Sequence, residues 1–247
     1  MKGSVRDHRL LTIGAAALLA IATDPLARDA SALPASTGHD ETTPTATREA
    51  PSAARGRAYF VAAIGDSLTD PRVGGGRYLA HLAQACPKSR FDSYGVGGQQ
   101  TIDMRARFVA EIFAPGKPRY THVVVLGGVN DLFGGAVDRT RLERIEAQLA
   151  AMYVAAHEHG AKAIAMTVPP WGHAGTAHEL KVTAALNAWI LASPADHAID
   201  LSFLECGAAR SLCVDVRKTY DDMVHWNDRG HARVAAALHR AVFADCE

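Results

Sequence analysis

From residue 58 to the C-terminus, short apolar runs alternate with stretches of helical spacing, and no other feature narrows the fold as much. Residues 58–64 (AYFVAAI) form a continuous apolar run closed by Gly65, the pattern of a parallel strand buried on both faces. Residues 75–86 then place Leu79, Leu82, Ala83 and Cys86 at helical spacing. The same reading gives strands at 90–96, 122–126 (HVVVL), 161–168 and 197–203. Helices are expected at 101–113, 138–159, 176–192 and 228–243, the last capped by Asn227 or Asp228. Five strands separated by helices imply parallel pairing with crossovers, hence an α/β fold: a three-layer α/β/α sandwich around a central five-stranded parallel sheet. In such sheets ligands bind at the carboxyl ends of the strands, near the point where strand order reverses. Ser67, Gly98 and Asn130 each follow an expected strand, so all three belong on one edge of the sheet.

The chain has 247 residues, 48% hydrophobic, which suits one large domain rather than two. Its first residues do not share the pattern. Lys2, Arg6 and Arg9 precede an apolar run at 10–22 (LLTIGAAALLAIA) that is too short for an ordinary membrane span. Small residues then offer cleavage after Ala22 or Ala32, so residues 1–32 read as an export signal, with an uncleaved anchor as the alternative. Residues 33–57, rich in Ser, Thr, Pro and Ala, read as a disordered linker that cannot bury enough apolar surface to offset chain entropy. The folded domain is expected at 58–247, in a secreted or periplasmic protein with no stable membrane span. Lys plus Arg and Asp plus Glu number 26 each, and no basic stripe is present, so a nucleic-acid partner is not expected. A monomer is expected.

Four cysteines, Cys86, Cys206, Cys213 and Cys246, suggest two disulfides in an exported chain, with three connectivities open. Cys206 and Cys213 flank a turn-like Gly207-Ala208-Ala209 and form the favoured pair, which leaves Cys86 with Cys246. Buried free thiols are the competing reading. There is no CxxC pair, and no metal is expected.

Gly65-Asp66-Ser67-Leu68-Thr69 exposes a serine hydroxyl just after the first strand. That hydroxyl is a poor nucleophile until a base removes its proton. It is not the nucleophile elbow of α/β-hydrolases, because Thr69 stands where the second glycine would be. A base is available in Asp222-Met223-Val224-His225, where an aspartate three residues before a histidine can hold the imidazole's Nδ1–H. Gly98 can offer an unobstructed backbone N–H and Asn130 a side-chain amide to a developing oxyanion. Taken singly, each motif also has an ordinary meaning: a turn serine, a solvated ion pair, a plain glycine turn, a loop cap.

Together, the ordered segments GDSLT (65–69), YGVGGQ (94–99), GGVND (127–131) and DMVHWND (222–228) resemble the sequence blocks of the SGNH/GDSL hydrolase family. The resemblance implies a flavodoxin-like sandwich in which Ser67 is the nucleophile and an oxyanion donor. Gly98 and Asn130 supply the other donors, His225 acts as base and then acid, and Asp222 orients it. It further implies ester hydrolysis through an acyl-enzyme, without metal or cofactor, on a small-molecule, carbohydrate or lipid ester. Export suits short-chain acyl or O-acetyl esters, and without a long apolar lid segment an interfacial lipase is less favoured. An acyltransferase with the same site, or a non-catalytic surface binding domain, are the rivals. Two departures from the family pattern bear on the pocket mouth: Asp70-Pro71-Arg72-Val73 ahead of Gly74-Gly75-Gly76, and Trp226 after His225. Asp66 and Asp131 are expected to secure loops and His231 to be structural. Trp171 is read equally as a pocket wall or as packing, and His173 and His178 lack a third ligand for a metal.

Overall fold

The computed structural model describes residues 56–133, 137–172 and 176–247. The expected export signal (1–32), the linker up to residue 55, and His173 lie outside these residues. Five parallel strands, β1 (Phe60–Gly65), β2 (Arg90–Gly95), β3 (His122–Leu126), β4 (Lys162–Met166) and β5 (His197–Ile199), form one sheet in the order β2-β1-β3-β4-β5. Helices α1 (Arg77–Ala85), α2 (Thr101–Ile112), α3 (Val129–Leu132), α4 (Arg139–Glu158), α5 (Ala177–Leu191) and α6 (Asp228–Val242) complete the α/β fold.

Period-two alternation along the strands divides the core between the two faces. On β1, Ala62 and Ile64 join Val123 and Val125 of β3 beneath Met104 and Phe108 of α2, Ile145 and Met152 of α4, and Leu186 of α5. Val61 and Ala63 point the other way, with Val124 and Ile164, onto Tyr78 and Leu82 of α1 and Val234 and Leu238 of α6. Burying each such large side chain is worth roughly 1.5–3 kcal/mol. Three layers result because the inner strands have no polar face to turn toward water.

Register then decides where the loops emerge. Gly65 pairs with Gly95 on one side and Leu126 on the other, so β1, β2 and β3 end level. The chain leaves β1 for β2 and later returns to β1's opposite side as β3, which makes β1/β3 the topological switch.

The structure departs from the sequence reading at several points. The strand expected at 197–203 stops at Ile199, because the Asp200 carboxylate takes the Ser202 N–H at 2.9 Å and turns the chain into a 3-10 turn, Ser202–Leu204. The helix expected from residue 75 begins at Arg77, since Gly76 adopts φ 68° and the Gly75–Gly76 backbone is engaged by the loop beside Ser67. A hairpin of β6 (Glu205–Cys206) and β7 (Ser211–Leu212), and the single-turn α3, carry too few residues to show periodicity. Gly56 and Arg57, read as linker, bond to the C-terminal segment: Arg57 N–H donates to the Asp245 carbonyl at 2.8 Å. Asn227, not Asp228, caps α6 through the Gly230 N–H at 3.1 Å. Disulfides join Cys86 to Cys246 and Cys206 to Cys213. No helix among the described residues is long and apolar enough to cross a membrane.

Candidate active site

Ser67 sits on a helical turn that β1 runs into directly. Thr69 N–H and Asp70 N–H both donate to the Asp66 carbonyl, at 3.1 and 3.0 Å, and Leu68 N–H donates to the Asp66 carboxylate at 2.9 Å. The turn lifts the Ser67 hydroxyl out of the sheet edge. Gly75 packs closely against its backbone: a Cβ there would lie 2.1 Å from the Ser67 carbonyl oxygen. Only glycine allows that approach. The 74–76 glycine run therefore seats the serine turn, and the residues before it form a 3-10 turn (Pro71–Val73) capped by Asp70.

His225 comes from the other end of the chain. Its Nε2 lies 2.8 Å from Ser67 Oγ, and its Nδ1 lies 3.0 Å from Asp222 Oδ2. An ionised carboxylate only accepts, so Nδ1 carries the proton and Nε2 is free to accept from the serine. Asp222 Oδ1 is anchored by the Val224 and His225 N–H groups at 3.0 and 2.8 Å. Burial pushes the Asp222 carboxyl up, but these two N–H groups and the imidazole more than offset it and leave it below the ordinary range. The loop is pinned at its base, where Arg217 and Trp226 bridge and Lys218 N–H donates to the His225 carbonyl at 2.9 Å. Trp226, expected at the pocket mouth, is 98% buried against His231 (ring centroids 5.2 Å) and borders the cleft.

Gly98 occupies the third position of a turn closed by Gln99 N–H to the Val96 carbonyl, with φ 77°. That backbone is left-handed and favours glycine. A methyl group on neighbouring Gly97 would lie 3.8 Å from Ser67 Cβ, which places the turn against the serine. Asn130, on α3, donates from Nδ2 to the Gln99 carbonyl at 2.9 Å, so one of its amide hydrogens holds the turn and the other remains. Among the described residues neither Ser67 N–H nor Gly98 N–H meets an acceptor. Two unengaged N–H groups and a half-engaged amide beside a serine hydroxyl are able to stabilise an oxyanion.

Residues that motif reading passed over fix these loops to one another. The Asp70 carboxylate accepts Gly97 N–H at 2.9 Å and both the Arg72 guanidinium and N–H, each at 2.9 Å; Arg72 holds it down to about 2. An aspartate ahead of a proline is a helix-start signal that pointed to this cap. Arg107 of α2 reaches the Gln99 side chain at 2.7 Å and the Gly65 carbonyl at 3.3 Å. Asp131 accepts from Thr101 N–H and Oγ1 at 2.9 and 2.7 Å, tying α3 to α2. Asp66 and Asp131 thus secure loops, and His231 is buried between Tyr78 and Trp226. Trp171 is buried, donates to Thr183 Oγ1 at 3.0 Å and meets Phe133 edge-on. His178 Nε2 accepts from Val137 N–H at 3.3 Å. Among the described residues one cluster brings three potential metal ligands within 4.8 Å, Cys86, Cys246 and His239, and its two sulfurs are joined in a disulfide.

The space at Ser67 is small. Ser67, Val73, Gly74, Lys218 and His225 border a shallow cleft that encloses almost no volume. Larger hollows, about 280 Å³ each, lie between the β4–α5 loop and α5, and between α2 and α4.

A profile of the GDSL-like Lipase/Acylhydrolase family matches residues 63–233. No curated protein sequence matches the chain. Solved structures that share the fold include a GDSL-like lipase from Bacteroides thetaiotaomicron VPI-5482, 18% identical, with a TM-score of 0.57 over 74% of this chain and 86% of that one. The acetyl xylan esterase AlAXEase is 20% identical, with a TM-score of 0.57 over 74% and 99% of the two chains. A catalytic mutant of an acetylxylan esterase from Geobacillus stearothermophilus is 20% identical, with a TM-score of 0.57 over 75% and 94%. The match from within β1 into α6 spans every loop described above, and the chain belongs to the GDSL-like Lipase/Acylhydrolase family as an ester-hydrolysing enzyme.

Proposed function

We propose that the protein is an exported esterase that removes short acyl groups, acetyl foremost, through an acyl-enzyme on Ser67. The observation that carries this reading is the Ser67 Oγ–His225 Nε2 contact of 2.8 Å between residues 158 apart in sequence, with Asp222 behind the imidazole. His225 takes the hydroxyl proton as Ser67 attacks the ester carbonyl, and Asp222 stabilises the imidazolium. The oxyanion is held by the N–H groups of Ser67 and Gly98 and by the Asn130 amide. His225 then protonates the leaving alcohol, and a water activated by the same imidazole releases the acid.

The cleft at Ser67 encloses almost no volume, too little to house a long acyl chain, which supports a short acyl group. Similarity to proteins named as acetylxylan esterases favours acetyl esters of sugars. Export rests on the leader-like residues 1–32 and on two disulfides, which persist in oxidising compartments.

A panel of nitrophenyl esters from acetate to palmitate, run on wild type and Ser67→Ala, tests the reading. Turnover should fall steeply as the acyl chain lengthens, and Ser67→Ala should lose roughly a thousandfold or more of kcat on acetate. An unchanged rate in Ser67→Ala removes the mechanism, and a preference for palmitate removes the short-acyl assignment.

A further inference from the structure

The hollow of about 280 Å³ between the start of α2 and the first turns of α4 adjoins the proposed oxyanion site. It is walled by Gln100 and Thr101, next in the chain to Gln99, and by Asp131, next to Asn130. Gln100 Nε2 also reaches the Asn130 carbonyl at 3.3 Å. A group seated there would therefore stand one residue from Asn130 and two from Gly98, the donors that face the reacting ester.

Its charge is unbalanced. Arg141 and Arg144 both line it, and neither forms an ion pair within 4.0 Å among the described residues. Arg141 donates only to the Phe133 carbonyl, at 2.9 Å. The single carboxylate in the wall, Asp131, is buried and already accepts from Thr101 N–H and Oγ1. Neighbouring acids are engaged elsewhere: Asp103 with Gln100 N–H, and Glu143 with Arg139. Two guanidiniums over one desolvated, hydrogen-bonded acid leave a net attraction for an anion, with the planar geometry that suits a carboxylate. Ile102 and Ile145 add apolar surface, and the Gln148 amide nitrogen adds a donor, its carbonyl oxygen being taken by Arg105. A carboxylate, hydroxyls and an apolar ring face together describe a uronic acid residue.

We infer that this hollow is a subsite for a uronic acid residue next to the acylated sugar, so that the preferred substrate is an acidic O-acetylated oligosaccharide. The inference rests on the esterase reading above. Two O-acetylated oligosaccharides of equal length test it, one neutral and one with a uronic acid beside the acetylated residue. Wild type should favour the acidic substrate in kcat/KM by about tenfold or more, chiefly through KM, and added salt should erode the preference. Arg144→Gln, at an exposed position, should abolish most of that ratio, Arg141→Gln should act in the same direction, and Arg144→Lys should retain part of it. Equal kcat/KM for both substrates in wild type, or a proportional loss on both in the arginine variants, overturns the subsite. Calorimetry of the acidic oligosaccharide on Ser67→Ala, with and without Arg144→Gln, separates the two readings. Binding that depends on Arg144 upholds the subsite even if Ser67 proves not to be the nucleophile; no binding by Ser67→Ala overturns it.

Discussion

Two aspartates flank the Ser67–His225 pair, and their surroundings drive the two carboxyls in opposite directions. Asp222 meets two N–H groups and an imidazole and stays ionised. Asp66, fully buried, has one N–H partner and an Oδ2 with no partner among the described residues; burial pushes it from 3.8 to about 7. Its folded form holds a proton that the unfolded chain releases, so it costs stability increasingly as pH rises from about 4 to about 7. Buried His122 and His231 do the reverse. Burial holds both near 4 against an ordinary 6.5, so the unfolded chain binds protons the fold refuses, and stability falls as pH drops through that window. Asp66→Asn keeps an acceptor for Leu68 N–H and removes one of the opposing slopes. Its thermal midpoint should climb more steeply than wild type from about pH 4.5 to 6.5 and exceed it at about pH 8. Parallel melting curves across that range would show that Asp66 does not titrate as its burial requires.

At the scale of elements, the site is three strand-end turns and one C-terminal loop, braced by close backbone approach and by side-chain hydrogen bonds to backbone groups. The serine turn rests on Gly75, the Gly97–Gly98 turn hangs from Asp70 and Asn130, and the histidine loop closes on Arg217 and Trp226. Such bracing tolerates no added atoms. Gly75→Ala should lower stability by about 1–3 kcal/mol or more, because its Cβ must displace the Ser67 carbonyl or the 74–76 segment. Activity should fall with it, since the displaced segment carries the proposed nucleophile, Ser67. Urea unfolding and acetate-ester kinetics on one preparation check both, and a variant with wild-type values in each would show that the two segments are not in contact.

Across the whole molecule, the two disulfides do unequal work. Cys86–Cys246 closes 160 residues and ties the end of α1 to the C-terminal segment, which also bonds to Gly56 and Arg57. Cys206–Cys213 closes only 7, around one hairpin. Chain entropy alone makes the long loop worth about 5 kcal/mol and the short one about 2 kcal/mol. Replacing Cys86 and Cys246 together by serine should therefore lower the thermal midpoint by more than replacing Cys206 and Cys213, as calorimetry would record. The opposite ranking would mean that strand pairing near Arg57, rather than the crosslink, holds the termini.

The layers of the fold were legible because burial on both sheet faces writes itself into continuous apolar runs such as 122–126, and because glycine, proline and capping residues punctuate them. Ser67, Gly98 and Asn130 could be placed on one edge for the same reason: each directly follows a strand, and parallel strands all point one way. What sequence could not supply was distance. Ser67 and His225, 158 positions apart, close to 2.8 Å only through the register of β1 with its neighbours and the seating of α6 on α1. The roles of Asp70 and Arg107 and the burial of Trp226 likewise depend on which loops meet. Local periodicity reports on neighbours a few residues away; contacts between distant segments are set by tertiary packing, and the working geometry of this site belongs to them.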